Sequence, residues 1–355
     1  MGASIKDLLN RNRVRWMDAG PDCEIVISSR VRLARNLRLV PFSHLLDIES
    51  GKKCLNTIKD AWEKSQHLYL QDMVLATFNE LSSNDRQMLV EKHLISPGHA
   101  NTDAPYRGLL VKDDGSVSIM INEEDHLRIQ YFLPGLQLEE CYNRAQTIDD
   151  ELERNLDFAF DENRGYLTSC PTNVGTGMRA SVMLHLPAIV ISGHTGRIFH
   201  NIAHLGMTVR GIYGEGTEAI GNLFQLSNQV TLGQTESDIR NNLSTITAQI
   251  VNQEKALRDK LRIEMKYQLE DRIGRAYGIL TNARMITSKE AMGLISDVRL
   301  GVDMGVIRDI DPLVLNELLV AIRPAHLQKL AGRNLESLDR DVKRATVIKE
   351  MLLGK

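Results

Sequence analysis

The spacing of apolar and polar positions along this chain changes character near residue 236. Before that point, short strand-like runs interleave with helical ones. Val117-Ser118-Ile119-Met120-Ile121 follows the turn Asp113-Asp114-Gly115 and predicts a strand ending at Asn122. Ala188-Ile189-Val190-Ile191 and Met207-Thr208-Val209-Arg210 predict two more strands. Helical spacing covers Cys54 to Trp62 and Ala145 to Phe160, the latter with Ile148, Leu152, Leu156 and Ala159 on one side. Residues 161–180 are dense in Gly, Asn, Thr and Pro and read as a loop able to carry chemistry.

After residue 236 the pattern is helical. No proline occurs between Pro187 and Pro312, and Leu257, Leu261, Met265, Leu269, Ile273 and Tyr277 recur every four residues, predicting one long helix with one apolar stripe. Thr287-Ser288-Lys289-Glu290 has the spacing of a capping box, and Asp311-Pro312 sets an N-cap before a first-turn proline. Ala325 to Lys329 and Asp339 to Leu353 complete a helical end. The expected division is a mixed domain over 1–255 and a helical domain over 256–355.

Composition narrows the classes. A chain of 355 residues, 43% apolar, can bury a core and divides into two domains. A net charge of -3 with both signs interspersed excludes a general nucleic-acid or membrane field. The cysteines Cys23, Cys54, Cys141 and Cys170 form no CxxC pair, against a zinc site or a disulfide framework. The first residues lack an apolar signal core, and Lys6 stands where a myristoylation motif wants Ser or Thr. The run Val182 to Ile191 is too short for a bilayer and is interrupted by His185 and Pro187. A cytoplasmic, reducing setting is expected.

Five arginines carry the candidate chemistry. Arg30 and Arg32 lie in Ser28-Ser29-Arg30-Val31-Arg32, and Arg128 follows Asn122-Glu123-Glu124-Asp125-His126 by two residues. Arg179 follows Cys170-Pro171-Thr172-Asn173, Gly175 and Gly177; Arg210 opens Arg210-Gly211-Ile212-Tyr213-Gly214-Glu215. Converging guanidinium forks would clamp the oxygens of a polyphosphate. The carboxylates and the cysteine beside them could handle an acceptor, which points to phosphoryl transfer. Alone, each segment has an ordinary reading: a solvated acidic turn, an inert cysteine, a charged hairpin, and in His93 a satisfied structural histidine. Gly175-Thr176-Gly177 is not a Walker A sequence. No spacing selects among His185, His194, His200 and His204 a base for Cys170 as a nucleophile.

Taken in order, these motifs resemble the catalytic domain of the phosphagen (guanidino) kinases. Together with Arg340-Asp341-Val342-Lys343-Arg344-Ala345, they resemble most closely the bacterial protein-arginine-phosphorylating branch of that family. The resemblance covers essentially the whole chain. It implies an α+β fold, an antiparallel sheet flanked by helices, followed by an all-α C-terminal domain. It implies ATP with Mg2+ bridging phosphate oxygens, and no metal ligand set of the protein's own. The nucleotide set it implies is Ser28, Ser29, Arg30, Val31, Arg32, His93, Arg128, Arg179, Ala180, Ser181, Val182, Met183, Arg210, Gly211, Ile212, Tyr213 and Gly214. Glu124 is the implied base and Glu215 the second carboxylate holding the acceptor guanidinium. Cys170, as thiolate, would orient that cation without a covalent intermediate. Arg340, Asp341 and Arg344 would form an allosteric phosphoarginine pocket. Implied partners are arginine-bearing protein substrates, a zinc-binding activator, transcriptional repressor substrates, a Clp protease and a second copy of the chain. Two departures stand out: little sequence precedes Ser28 to enclose a small guanidino substrate, and Met183 stands where small-molecule members carry a histidine near adenine. The alternatives are a kinase for a small free guanidino metabolite and a non-catalytic phosphoarginine-binding adaptor.

Overall fold

The computed structural model describes residues 4–212 and 219–354. Its strands are β1 (Val26–Arg35), β2 (Met73–Thr77), β3 (Gly108–Lys112), β4 (Val117–Ile121), β5 (Leu127–Pro134), β6 (Phe160–Asp161), β7 (Gly165–Tyr166), β8 (Met178–His185), β9 (Met207–Gly211) and β10 (Leu223–Asn228). Strands β6 and β7 form a small hairpin. The rest form one eight-stranded sheet in the order β2-β3-β4-β5-β1-β8-β10-β9. Every pairing in that sheet is antiparallel. The expected antiparallel sheet flanked by helices is therefore present, as is the helical C-terminal region.

Side chains alternate between the two faces of a strand, and here the alternation separates core from chemistry. Val31 and Leu33, Ile129 and Tyr131, Ala180 and Val182, and Leu226 all face one side. They pack there against helices Ile48–Lys64, Leu138–Glu153 and Glu236–Glu264. Helix Leu138–Glu153 contributes Cys141, Ala145, Ile148 and Leu152, a stripe at spacings of three and four. Met120 and Phe132 point to the opposite side and join a second core with Trp16, Leu89 and Leu94. That core is completed by helices Lys266–Asn282, Ser288–Asp303, Pro312–Ala321, Pro324–Ala331 and Ser337–Leu353. The helical region thus packs on the side of the sheet that carries the arginines.

The structure corrects three expected elements. Ala188–Ile191 is not a strand but part of a short helix, Pro187–Ile191. Proline preorganises its first turn, and the buried carboxylate of Glu254 accepts from the amides of Ala188 (3.0 Å) and Ile189 (2.9 Å). The helix expected over Ala145–Phe160 spans Leu138–Glu153. Beyond it the chain leaves the helical path, and the Ala159 amide donates to the carbonyl of Asn36 at 2.7 Å. The long helix through Leu257 and Tyr277 is broken at Met265 into Glu236–Glu264 and Lys266–Asn282. Positions four apart advance about 40° beyond a full turn, so a straight helix would wind such a stripe off its face. The break at Met265, with φ -129° and ψ 33°, lets each half bury its own part.

One buried ion pair ties the sheet to its flanking helix. Arg35, at the end of β1, donates from Nη2 (2.6 Å) and Nε (3.0 Å) to Asp149, and both side chains are almost wholly buried. Arg35 also donates to the carbonyls of Ala34 and Thr176 and lies 3.5 Å over the Tyr166 ring. Removing the carboxylate charge leaves a buried guanidinium uncompensated. Asp149→Asn is expected to cost about 3–5 kcal/mol in urea-induced unfolding. A loss below about 1 kcal/mol would show that water reaches Arg35 in the variant.

Candidate functional site

The polar face of the sheet forms the floor of a cleft of about 640 Å³. Its residues come from one phase of the alternation: Ser28, Arg30 and Arg32 on β1, Arg128, Gln130 and Phe132 on β5, and Arg179, Ser181 and Met183 on β8. Gln225 on β10 and Arg210 on β9 extend the floor. Register sets the spacing: Arg32 pairs directly with Gln130 on one side and Arg179 on the other, while Arg30 lies between Phe132 and Ser181. Arg210 is opposite Gln225. Opposed positions on neighbouring strands lie about 5 Å apart, so the sheet itself forces these cations together.

Each guanidinium is held differently. Arg30 donates to Ser181 Oγ (3.3 Å) and Gln225 Oε1 (3.0 Å), with its fork 5.7 Å from the Phe132 ring centre. Burial, then the charges of Arg128 and Arg179, bring Arg30 down to about 10. Burial and the charges of Arg30, Arg128 and Arg179 push Arg32 well below the usual arginine range. Burial likewise lowers Arg179, helped by Arg210 and Arg128 and opposed by Cys170 and Glu124. Among the described residues, the buried Nε atoms of Arg32 and Arg179 have no hydrogen-bond partner. Several repelling donors around one open volume are suited to a ligand rich in anionic oxygens.

The turn between β4 and β5 supplies the carboxylates. Asn122 adopts φ +57° and donates from Nδ2 to the carbonyls of Tyr106 (2.8 Å) and Gly51 (3.1 Å), fixing the start of the turn. Asp125 is buried and accepts from Asn36 Nδ2 and the Ser169 amide, both at 2.7 Å. That contact joins the acidic turn to the segment carrying Cys170, whose Sγ lies 3.0 Å from Thr172 Oγ1. Glu123 accepts from Arg128 Nη1 (2.6 Å) and Ser96 Oγ (2.6 Å), whereas Glu124 is exposed. Glu124 and Cys170 are not among the described residues that line the cleft, but both act electrostatically on Arg179, which does.

Of the residues expected in the site, Ser28, Arg30, Arg32, His93, Arg128, Arg179, Ser181, Met183, Arg210, Gly211 and Ile212 line the cleft. Ser29, Val31, Ala180 and Val182 are in the opposite phase; Val31, Ala180 and Val182 are core, and Ser29 donates to the carbonyl of Gly135 at 2.8 Å. Tyr213, Gly214 and Glu215 lie outside the described residues. His93 adopts φ +64° and meets Trp16 edge to face at 5.4 Å. Burial above all, with Arg30 and Arg323, holds His93 down at about 3, so the ring is neutral. Away from the sheet, Arg344 is buried; it donates to the carbonyls of Ile322 and Ile286 (both 2.9 Å) and pairs with Asp341. Arg340 is half-buried nearby and acts on Arg344 through its charge.

Sequence reasoning missed Gln225, Glu123 and Arg323. The strand Leu223–Asn228 alternates in phase with the other floor strands, so Gln225 was findable once that strand was identified. Glu123 was passed over for its neighbour. Arg323 sits before a proline in the helical region, and no local signal marks it as part of the cleft.

Two family models match the chain. The model for ATP:guanido phosphotransferase, C-terminal catalytic domain, matches residues 53–257, and that for the protein-arginine kinase McsB C-terminal domain matches 266–354. The chain is 65% identical over 351 residues to a protein-arginine kinase of Syntrophomonas wolfei, covering 98% of both chains. It is 45% identical over 350 residues to a protein-arginine kinase of Bacillus subtilis, covering 98% of this chain and 96% of that one. Among solved structures, the duplicated taurocyamine kinase of Schistosoma mansoni with bound transition-state-analog components superposes with a TM-score of 0.61 at 26% identity. That match covers 77% of this chain and 39% of the duplicated enzyme. Lombricine kinase shares the fold, with a TM-score of 0.59 at 20% identity over 72% of each chain.

The Arg128–Glu123 pair makes the site acid-sensitive. Burial alone would raise Glu123, but Arg128, Ser96, the Glu124 amide and His99 prevail and hold it at about 2. A depressed carboxyl contributes stability above its unfolded value near 4.5, and that contribution disappears as pH falls through about 2. The stability difference between the unaltered protein and Glu123→Gln, from denaturant titrations, should be largest above pH 4.5 and shrink steadily below it. A difference independent of pH would mean that Glu123 titrates normally.

Proposed function

From the family to which this chain belongs, the protein-arginine kinases of the ATP:guanido phosphotransferases, we propose that it transfers the γ-phosphoryl group of ATP to arginine side chains of proteins. One observation carries this reading most directly. Arginines from β1, β5, β8 and β9 converge on one cleft, and two of their buried Nε atoms lack partners among the described residues. Phosphate oxygens satisfy such donors, and the same charges stabilise the transferring group in the transition state. Among the described residues no group of three or more His, Cys, Asp or Glu side chains is placed to hold a metal ion. By the chemistry of phosphoryl transfer, Mg2+ bound with the nucleotide would supply further neutralisation of its phosphate oxygens.

The reaction forms a bond between a guanidino nitrogen and the γ-phosphorus, breaks the bond from that phosphorus to its bridging oxygen, and releases ADP. The acceptor must lose a proton, because a guanidinium with a pKa of about 12.5 or more is not nucleophilic at neutral pH. Glu124 takes that proton, and Glu215 holds the acceptor's remaining N–H groups. Glu123 is committed to Arg128 and Ser96, which leaves its exposed neighbour as the available carboxylate. A carboxylate is a weak base for this proton, so alignment provides much of the rate. Cys170 orients the acceptor cation and forms no covalent intermediate. Neutral His93 and Met183 face the nucleotide's base and ribose.

In the same reading, residues 1–255 form the catalytic domain and 256–355 the helical domain. The face with Arg340, Asp341 and Arg344 receives phosphoarginine allosterically. The active form is a cytoplasmic homodimer, served by a zinc-binding activator. Its products are inactivated stress-response repressors and proteins marked for a Clp protease. Membership of the family supports these assignments. Among the described residues, no helix is long and apolar enough to cross a membrane.

Incubation with ATP and an unstructured protein should yield acid-labile phosphate on arginine, read by mass spectrometry. Phosphate on free arginine but never on protein would favour a small-metabolite kinase, and no transfer at all would favour a phosphoarginine-binding adaptor. Glu124→Gln should lower turnover about 100-fold or more while leaving the ATP dissociation constant nearly unchanged, since it removes proton acceptance and not the phosphate clamp. Parallel losses of binding and rate would reassign Glu124 to nucleotide binding.

A further inference from the structure

We infer that Arg323, contributed by the C-terminal helical region, is a nucleotide-binding residue at the end of the cleft opposite the transferring phosphoryl group. The inference rests on the proposal that the cleft binds ATP, and it extends the binding set beyond the sheet. Arg323 forms the cleft wall together with Trp16, Val90, Glu91 and His93. Its place along the cleft follows from the fold: Glu91 bonds the amides of Ala325 and His326, and two residues beyond Glu91 the chain carries His93, which meets Trp16 at 5.4 Å. The charges agree, since His93 feels Arg30 and Arg323, whereas Arg179 feels Arg210, Arg128, Cys170 and Glu124. Arg323 therefore stands with His93, and the acceptor-handling groups stand with Arg179. The His93 end also presents the apolar surfaces of Trp16, Val90 and Ile95, suited to a base and ribose.

The main chain on both sides of Arg323 is held by buried charged groups. Arg323 is the N-cap of helix Pro324–Ala331, with Pro324 fixing the first turn. Glu91, only 4% exposed, accepts from the amides of Ala325 (2.9 Å) and His326 (3.1 Å) and lies 2.7 Å from His326 Nδ1. On the preceding side, Arg344 Nε donates to the carbonyl of Ile322 at 2.9 Å. Helix Ser83–Glu91 of the cleft wall is thereby bonded to the turn that carries Arg323, and helix Ser337–Leu353 grips the same turn from behind. A guanidinium on so fixed a base is preorganised for an anionic or polar ligand in the cleft.

A contact remote from the reacting phosphorus binds ground and transition states alike, so it acts on affinity and not on turnover. Calorimetric titration with Mg-ATP and steady-state rates on an unstructured protein should be compared for the unaltered chain, Arg323→Gln and Arg323→Lys. Arg323→Gln should weaken ATP binding and raise the KM for ATP roughly tenfold, with kcat at saturating ATP kept within about twofold. Arg323→Lys should restore part of the affinity, because it keeps the charge and loses the fork. Melting temperatures close to the unaltered chain's would establish that both variants are folded; Arg323→Lys keeps the test open if Arg323→Gln is not. ATP binding by Arg323→Gln as tight as the unaltered chain's, or a loss confined to kcat, overturns the assignment of Arg323 alone. Failure of the unaltered chain to bind ATP overturns the ATP reading of the cleft and this inference with it.

Discussion

The structure depends on keeping several like charges close together, partly desolvated and short of counterions. Isolated guanidinium groups move apart in water; here Arg32 and Arg179 occupy directly opposed positions on adjacent strands. What overcomes their repulsion is the apolar face on the other side of the same strands. Val31, Leu33, Ala180 and Val182 are locked into the core by the helices above them. A one-residue slip of β1 against β8 would bury the arginines and expose that core, so hydrophobic burial enforces the register that assembles the cleft. The cost of holding the cations is visible in Arg30 and Arg32, both shifted toward the neutral form by burial and by one another.

The acidic residues near this constellation are distributed so as not to cancel it. Asp149 neutralises Arg35 on the core side, out of reach of the cleft. Glu91 is occupied by the helix that begins after Arg323, and Asp125 by Asn36 and the Ser169 amide. Among the described residues, Glu123 is bonded directly to a floor arginine, Arg128. That pairing orients Arg128, while Arg30 donates to the neutral Ser181 and Gln225 and Arg179 to Ser227.

Much of this was legible in the sequence because the site is built on strands. Arg30 and Arg32 are two apart, the spacing that puts both on one sheet face, and Val117–Ile121 has the apolar run of a buried strand. Legibility failed where distant contacts decide local form. Ala188–Ile191 has strand composition, yet Glu254, far along the chain, caps it as a helix. The break at Met265 lets Leu261 on one side and Leu269 and Ile273 on the other share one small apolar cluster, while the far parts of the two helices serve different cores. The sequence puts Arg340 and Arg344 on one helix face, but it does not show that Arg344 is buried, bonded to the carbonyls of Ile322 and Ile286 and paired with Asp341. Arg323 was invisible for the same reason: its place in the cleft is created by the packing of helices distant in sequence.

An arginine-lined cleft that takes arginine as its acceptor poses an electrostatic problem with one solution. In the empty cleft, the floor cations oppose entry of another guanidinium, and a single exposed carboxylate such as Glu124 does not outweigh them in a site of reduced dielectric. A bound triphosphate offsets much of that charge at the open end, because its negative oxygens then stand beside the incoming group. The clamp that opposes the acceptor when empty opposes it far less once filled. The same logic explains why neutral side chains surround so many of the floor arginines. Tight carboxylate pairs throughout would ease their repulsion in the empty protein, but they would remove the charge that draws in the nucleotide and hence the field that admits the acceptor.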